Sequence, residues 1–509
     1  MRGVCWLRRV GLTRAAVWSA LLTSAAGLLL ASCAVGPNYT RPAAPVPTHF
    51  KEQKGWKLAT PSDALKRGDW WSLYRDRHLA DLMRQVEVSN QTVAAQAAAY
   101  EEARAVLREA QSALFPTLTA NYSATRTMTG PNATTGTSSL GPRSGALYST
   151  SYVPQLSGAW DLDLWGKVRR QIEANTSAAQ ASAAELANVK LSEQALLATA
   201  YFNLRANDSL HDLLAHTVAE YKRTLQIVQN QFKAGYSVTA GDVATAQAQV
   251  ETAEAQEINS GELRAQYEHA VAMLIGRPPA ELTIARLDLN GSIPHIPVTV
   301  PSTLLERRPD IAEAERTVQQ ENALIGVAEA AFYPDISLSG MLEFVGKNPL
   351  PFSAANEIWS LGAAAAEPIF EGGLRAAELD AARATYWQSV ANYRQTVLTA
   401  FQGVEDQLAA IRILRQQLTV QNAAIKNART AVNVYLNQFE AGTTAFTTVV
   451  TAEVTLLADE EAALTSRQDL FLASVTLIED LGGSWDTTLL PSQKELQTSF
   501  SILPQLPTK

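Results

Sequence analysis

Only two cysteines, Cys5 and Cys33, occur in 509 residues, so no disulfide framework can be argued. Charge is sparse too. Asp, Glu, Lys and Arg make up 18% of the chain, the net charge is −8, and no basic stripe is present, which speaks against nucleic acid as a partner. Histidine offers no metal site. His49, His78, His211, His216, His269 and His295 show no ligand-like clustering, and the spacing of His211 and His216 does not align them on one helix face. No nucleophile elbow, phosphate loop or dinucleotide fingerprint appears in a strand–turn–helix context, so neither enzyme chemistry nor a cofactor is expected. Beyond residue 30 no stretch supplies the ~18 apolar residues of a membrane helix. Any crossing of a bilayer must therefore be made of strands.

What is present begins with an export signal. Arg2, Arg8, Arg9 and Arg14 form a basic start, and residues 15–30 are an apolar stretch too short and wrongly flanked to span. It ends in Leu30-Ala31-Ser32-Cys33, which resembles a bacterial lipobox. In that pattern the cysteine becomes the first mature residue and carries a diacylglycerol and an N-acyl chain such as palmitate. Removal of residues 1–32 takes away four arginines and no acid, moving the net charge from −8 to −12. Ala34, rather than Asp, follows Cys33 and favours the outer membrane.

The rest of the chain repeats itself. Phe115-Pro116-Thr117-Leu118 matches Tyr333-Pro334-Asp335-Ile336, Gly166-Lys167-Val168-Arg169 matches Gly372-Gly373-Leu374-Arg375, and Asn230-Gln231-Phe232-Lys233-Ala234-Gly235 matches Asn437-Gln438-Phe439-Glu440-Ala441-Gly442. The first copy carries an extra Gly/Pro/Ser/Thr-rich loop at residues 130–145. In both copies apolar residues step by three and four. Val218, Tyr221, Leu225, Val228 and Phe232 do so in the first, and Ile425, Ala428, Val432, Tyr435 and Phe439 in the second, which is coiled-coil spacing. Residues 166–233 and 373–440 run without proline, roughly 100 Å each as helix. The shorter helices expected at 90–113 and 240–275, and again at 309–331 and 446–481, would stack end to end to match one long helix per repeat. Pro309, at the start of its helix, sits where a missing N–H costs nothing.

Two strands per repeat lie between the first short helix and the long one, at about 116–129 and 147–164, then 335–346 and 357–370. Leu118, Ala120, Tyr122 and Ala124 alternate with Thr117, Thr119, Asn121, Ser123 and Thr125. Tyr148, Tyr152, Leu156, Trp160, Leu162 and Leu164 share one face, opposed by Ser149, Ser151, Gln155, Ser157, Asp161 and Asp163. Such alternation fits a soluble sheet or a membrane barrel. Export and flanking aromatics favour the barrel. Four strands cannot close one, and open edges are not tolerated in lipid, so the chain must oligomerise. Two copies only just reach the roughly eight strands of the smallest barrels, whereas three supply twelve and begin to leave a lumen.

These residues carry a family resemblance over nearly the whole mature chain. The run Cys33-Ala34-Val35-Gly36-Pro37-Asn38-Tyr39 comes first, followed by Pro42. Trp70-Trp71 follows, with Leu73, Tyr74, Asp76 and Leu79, then Asp163-Leu164-Trp165-Gly166-Lys167, Arg307-Arg308-Pro309-Asp310-Ile311 and the duplicated Gln-Phe-x-Ala-Gly turn. In this order they resemble the outer-membrane efflux proteins related to TolC and OprM, of the NodT-type outer-membrane factor lipoproteins. The resemblance implies an α+β membrane protein, a homotrimer with a twelve-stranded barrel above an antiparallel coiled-coil helical tube. It implies a passive exit duct for small toxic compounds or drugs, loaded by a periplasmic adaptor and a proton-driven inner-membrane pump of the RND type. On this reading residues 1–32 are a signal peptide, 33–89 a lipidated equatorial segment and 90–275 the first repeat. Residues 276–308 are an equatorial linker, 309–481 the second repeat and 482–509 an equatorial tail. A duct for type I protein secretion and a lipid-anchored coiled-coil scaffold without a pore are the alternatives.

The residues singled out are few. Cys33 is the lipid anchor. Gly235 and Gly442 end the long helices as C-caps, where positive φ is needed, and the resemblance places these turns at the periplasmic tip. It also implies a ring of acidic residues soon after each glycine. Asp242, one residue later than the commonest pattern, is a candidate gate and equally an ordinary helix-start acid. In the second copy Thr448 and Thr451 stand at positions the family can fill with aspartate. Glu453 is expected on a solvated face, and Arg308 and Asp310 in a structural cap.

Overall fold

The computed structural model describes residues 34–52, 69–130, 147–291, 293–294, 296 and 304–496. Cys33, the signal peptide, His295 and nearly all of the loop at residues 130–145 lie outside the described residues.

The described residues form seven principal helices and four strands. Helix α1 (Arg77–Ser89) precedes the first repeat, which comprises α2 (Gln91–Ser112), β1 (Thr117–Thr129), β2 (Leu147–Asp161), α3 (Lys167–Lys233) and α4 (Ala240–Leu274). The second repeat comprises α5 (Pro309–Ala330), β3 (Asp335–Phe344), β4 (Glu357–Ala366), α6 (Leu374–Glu440) and α7 (Phe446–Asp480). Helix lengths are 22, 67 and 35 residues in the first copy and 22, 67 and 35 in the second, so the duplication is preserved to the residue. Each long helix is about 100 Å of continuous rod.

The end-to-end stacking of short helices rests on matched devices. In the first repeat Asn90 caps α2 by accepting the Val93 N–H at 3.0 Å, and its amide donates to the Leu274 carbonyl at the end of α4 at 2.8 Å. In the second, Arg308 precedes α5 and donates to the Asp480 carbonyl at the end of α7 at 2.7 Å. Its guanidinium also bonds both Asp310 oxygens, at 3.0 and 2.8 Å, and Asp480 Oδ1 at 3.0 Å. Arg308 is thus a clamp between helix ends, while Pro309 occupies the first helical turn. Gly276 and Gly482 turn the chain away just past each junction, with φ of +70° and +85°.

The main core sits at mid-height, where the N-terminal segment fills the space between repeats. Trp70 and Trp71 are buried with Leu79, Met83 and Val86 against Tyr201 and Phe202 of α3, Tyr393 and Phe401 of α6, and Phe471 of α7. Their polar atoms are satisfied. Trp70 Nε1 donates to Gln194 at 3.0 Å, and Tyr201 donates to Asp76, whose other oxygen caps α1. Helix α1 was not anticipated. Its apolar residues Leu79, Leu82, Met83 and Val86 step by three, one and three on one face. Before it, residues 34–52 run as a strap across α3, α5 and α6. Arg170 holds the Val35 and Gly36 carbonyls and Asn38, each at 3.0 Å, and the Lys51 and Glu52 amides donate to Glu405.

The strands form one antiparallel sheet in the order β1-β2-β3-β4. Strand β2 stops at Asp161, short of the expected 164, because Asp163 turns inward to accept the Val168 and Arg169 amides at 3.0 Å each and begin α3. Strand β4 stops at Ala366, short of the expected 370. Pro368 has no N–H to give, and Glu367 turns to Arg375 at 2.7 Å.

Candidate functional site: the strand sheet and the helical tip

Register gives the sheet two different faces. Leu118 pairs with Gly158, Gly158 with Gly340, and Gly340 with Leu361. The next row on this face is Ala120, Leu156, Leu342 and Trp359. The opposite face carries Thr119, Ser157, Met341 and Ser360, then Asn121, Gln155, Glu343 and Ile358. One face is therefore apolar and the other largely hydroxyl and amide. The apolar face is uncovered: Leu118 is 72% exposed, Trp359 66% and Leu361 80%. A soluble sheet would bury such a row, so its solvent is lipid. Aromatics cluster at the helical end, where Trp165 stacks on Tyr333 at 4.9 Å and Trp160 donates to the Leu114 carbonyl at 3.1 Å. Among the described residues no helix is long and apolar enough to cross a membrane.

Among the described residues neither sheet edge is paired, and β1 and β4 run in opposite directions. A β4 laid beside the β1 of another copy continues the antiparallel order. The sheet is built to be closed by copies of itself.

At the far end of the long helices the chain makes two matching turns. In the first, Gly235 (φ +78°) bonds back to Phe232 at 3.2 Å and Tyr236 to Gln231 at 3.1 Å. In the second, Gly442 (φ +70°) bonds back to Phe439 at 2.9 Å and Thr443 to Gln438 at 2.8 Å. Both are Schellman turns, which release an L-residue's strain by placing glycine in the left-handed position. The hairpins are joined by a small core of Val228, Ala246, Phe439, Phe446 and Val449, with the rings of Phe439 and Phe446 5.4 Å apart.

The candidate gate residues are placed as follows. Asp242 belongs to a capping box: its Oδ2 accepts the Thr239 N–H and hydroxyl at 2.8 Å each, and its own N–H donates to Thr239 Oγ1 at 3.2 Å. Its carboxylate serves the start of α4. Thr448 and Thr451 line a groove of about 440 Å³ between α6 and α7 with Ala428, Ala431, Tyr435 and Thr455. Thr451 turns its hydroxyl back to the Thr447 carbonyl at 2.9 Å. Glu453 is not on a solvated face. It is only 6% exposed, wedged between α7 and α3, with Oε1 accepting the Thr224 hydroxyl at 2.7 Å. Burial pushes its carboxyl up to about 7. Periodicity gave no sign of this, because Glu453 meets α3 of the other repeat rather than its own hairpin partner.

An edge-open sheet, apolar outside and polar inside, carried on roughly 100 Å antiparallel helices defines an outer-membrane channel subunit with a periplasmic extension. The profile of the family described as outer membrane efflux protein matches residues 82–277 and 300–483, and the chain belongs to that family. It is 29% identical over 413 residues to the probable efflux pump outer membrane protein TtgC of Pseudomonas putida, covering 80% of this chain and 84% of that one. The solved outer-membrane channel OprN superposes with a TM-score of 0.81 at 28% identity, covering 89% of this chain and all of that one. The open-state MtrE outer membrane channel of Neisseria gonorrhoeae does so at 0.78 and 27%, covering 89% and 98%. The chain is accordingly an outer-membrane channel component of an efflux system, extending into the periplasm.

Proposed function

We propose that three copies of this chain close one twelve-stranded barrel over a helical tube, and that the assembly is a passive duct for small toxic compounds. The observation that carries the trimer is the pairing of an edge-open sheet with the internal repeat. Within one chain α5 packs against both α3 and α6, whereas its counterpart α2 packs on α3 with no matching contact to α6 among the described residues. The repeat leaves α2 ready for the α6 of a neighbour, as the β1 and β4 edges are ready for its strands. Twelve strands at a typical spacing and tilt enclose a barrel of roughly 24 Å backbone diameter, wide enough for a lumen.

The duct does no chemistry of its own. A periplasmic adaptor would dock near the Gly235 and Gly442 turns, and an inner-membrane proton-driven pump of the RND type would supply the gradient. Cys33 would carry the diacylglycerol and N-acyl lipid. Ala34 and Val35 support this placement, since Val35 donates to the Trp165 carbonyl at 3.0 Å and Ala34 lies against Gly166. Ala34 and Val35 lie at the junction of sheet and helices, beside Trp165, where a lipid on the preceding residue would be in reach of the membrane surface.

Single-channel recording of the purified assembly tests the duct. Conductance is expected, rising when the tip is loosened by substitution at Phe439 or Phe446. Silence in every variant would overturn it.

A further inference from the structure

Glu453 and Tyr221 form a buried polar pair that nothing in a passive tube requires. Glu453 lies on the third turn of α7, about 10 Å from its start beside the tip turn. Tyr221 and Thr224 face it from α3. Glu453 and Tyr221 are each 6% exposed, and Thr224 is buried. Glu453 Oε2 and the Tyr221 hydroxyl are both enclosed and without a hydrogen-bond partner. Apolar clusters close the place on two sides, one around Val228 and Val449 and one around Val218, Val250 and Ala253.

The charges around it make ionisation harder. Glu220 on α3 raises the Glu453 carboxyl further, and Glu220, Glu460 and Glu461 all raise the Tyr221 hydroxyl. Two cations of the surrounding helices are committed elsewhere, Lys222 of α3 to Glu254 of α4 at 2.7 Å and Arg429 of α6 to Glu460 of α7. The Thr224 hydroxyl alone favours the carboxylate. A neutral acid fits this pocket and has a hydrogen to give from Oε2. A carboxylate leaves one oxygen bare in an apolar surrounding, which drives the helices apart or draws water in.

We propose that Glu453 is a proton-binding latch: protonated, it holds α7 against α3 beside the periplasmic tip, and ionised, it releases that contact. The repeat shows the device to be one-sided. Counted from helix starts, Gln247 of α4 is the counterpart of Glu453, and counted from helix ends, Ala428 and Ala431 of α6 are the counterparts of Tyr221 and Thr224. The matching positions, on α4 of one copy and α6 of the next, hold an amide and two alanines, none of them titratable. A rise in pH therefore loosens the contact within each chain and leaves the one between chains alone, so α7 swings while α4 stays. The sign follows from a carboxyl raised above its ordinary value. The contact is fully held below about pH 4.5 and is lost as pH rises through about 7.

The latch rests on the duct reading only for its consequence on flow, so two readouts are used on the full-length protein. Hydrogen exchange of residues 446–456 is compared at pH 5.5 and 8.5, corrected for intrinsic rates. The native protein is expected to lose about tenfold or more in protection at the higher pH. Glu453→Gln should keep the low-pH protection at both, and Thr224→Val should move the transition to higher pH. Conductance should rise with pH in the native channel and stay flat in Glu453→Gln. A Glu453→Gln variant that keeps the native pH dependence of exchange overturns the proposal. If that variant fails to fold, an unshifted transition in Thr224→Val overturns it instead. Exchange that behaves as expected in a protein that passes no current upholds the latch and removes the duct.

Discussion

Replacing glycines with alanine separates two structural roles that the sequence gives one appearance. Gly235, Gly276, Gly442 and Gly482 all follow helices and all have positive φ, between +70° and +85°. Alanine in that region costs about 1–2 kcal/mol at any of them. Their surroundings differ. A Cβ on Gly235 or Gly442 meets nothing within 4 Å, so the backbone cost is the whole effect. A Cβ on Gly276 would lie 2.0 Å from the Ser89 carbonyl oxygen, and one on Gly482 would lie 2.0 Å from that of Arg307. Those carbonyls belong to the chain just before Asn90 and Arg308, the residues that tie the short helices end to end. Relieving the overlap shifts backbone, at about 1–3 kcal/mol, and pulls on the Asn90–Leu274 or Arg308–Asp480 hydrogen bond, at about 1–3 more. Gly276→Ala and Gly482→Ala are therefore expected to lose about 3–8 kcal/mol, against about 1–2 for Gly235→Ala and Gly442→Ala. Thermal unfolding followed by helical circular dichroism should rank the four in two pairs, with limited proteolysis cutting near residues 89 and 307 only in the first. Equal losses in all four would refute the stacking argument.

Further outcomes follow from the same structure. Leu156→Arg, on the apolar face in the middle of β2, should cost about 2–4 kcal/mol and reduce membrane assembly, while Ser157→Arg on the polar face should assemble and alter ion selectivity; heat-modifiable migration and conductance read both. Glu313 of α5 is held well above the ordinary carboxylate range by burial first and by Glu185 of α3 second. Its favourable share is complete below about pH 4.5 and is lost as pH rises past neutrality, so Glu313→Gln should raise the unfolding midpoint by about 2–4 °C at pH 9 and leave it unmoved at pH 4. Cys33→Ala should abolish incorporation of labelled palmitate, and label retained on the variant would refute the lipid assignment.

The helices were legible because a proline-free apolar stripe of this length has no other use, and the strands because Leu118 to Thr125 alternates without a break. Both follow from local periodicity, and the repeat then doubled each signal. What was hidden depends on partners remote in sequence. Glu453 reads as a surface acid on its own helix, and the two residues that follow it, Val454 and Thr455, are indeed exposed. Only the approach of Thr224, more than two hundred residues earlier, buries it. In the sequence Asn90 only opens a short helix, and its bond to Leu274 appears only when α2 and α4 meet. The strand ends at Asp161 and Ala366 were missed because Asp163 and Glu367 are claimed by the start of α3 and by Arg375 of α6. Asp242, legible either as gate or as helix-start acid, is seen in a capping box.

The central claim is that this four-stranded sheet is one third of a barrel. Electron cryomicroscopy of the full chain, purified from outer membranes into lipid nanodiscs, tests it most directly. The account predicts three chains around one axis, with β4 of each hydrogen-bonded antiparallel to β1 of the next and α2 packed on the neighbour's α6. A sheet that stays open, or that closes with any other number of chains, would contradict it.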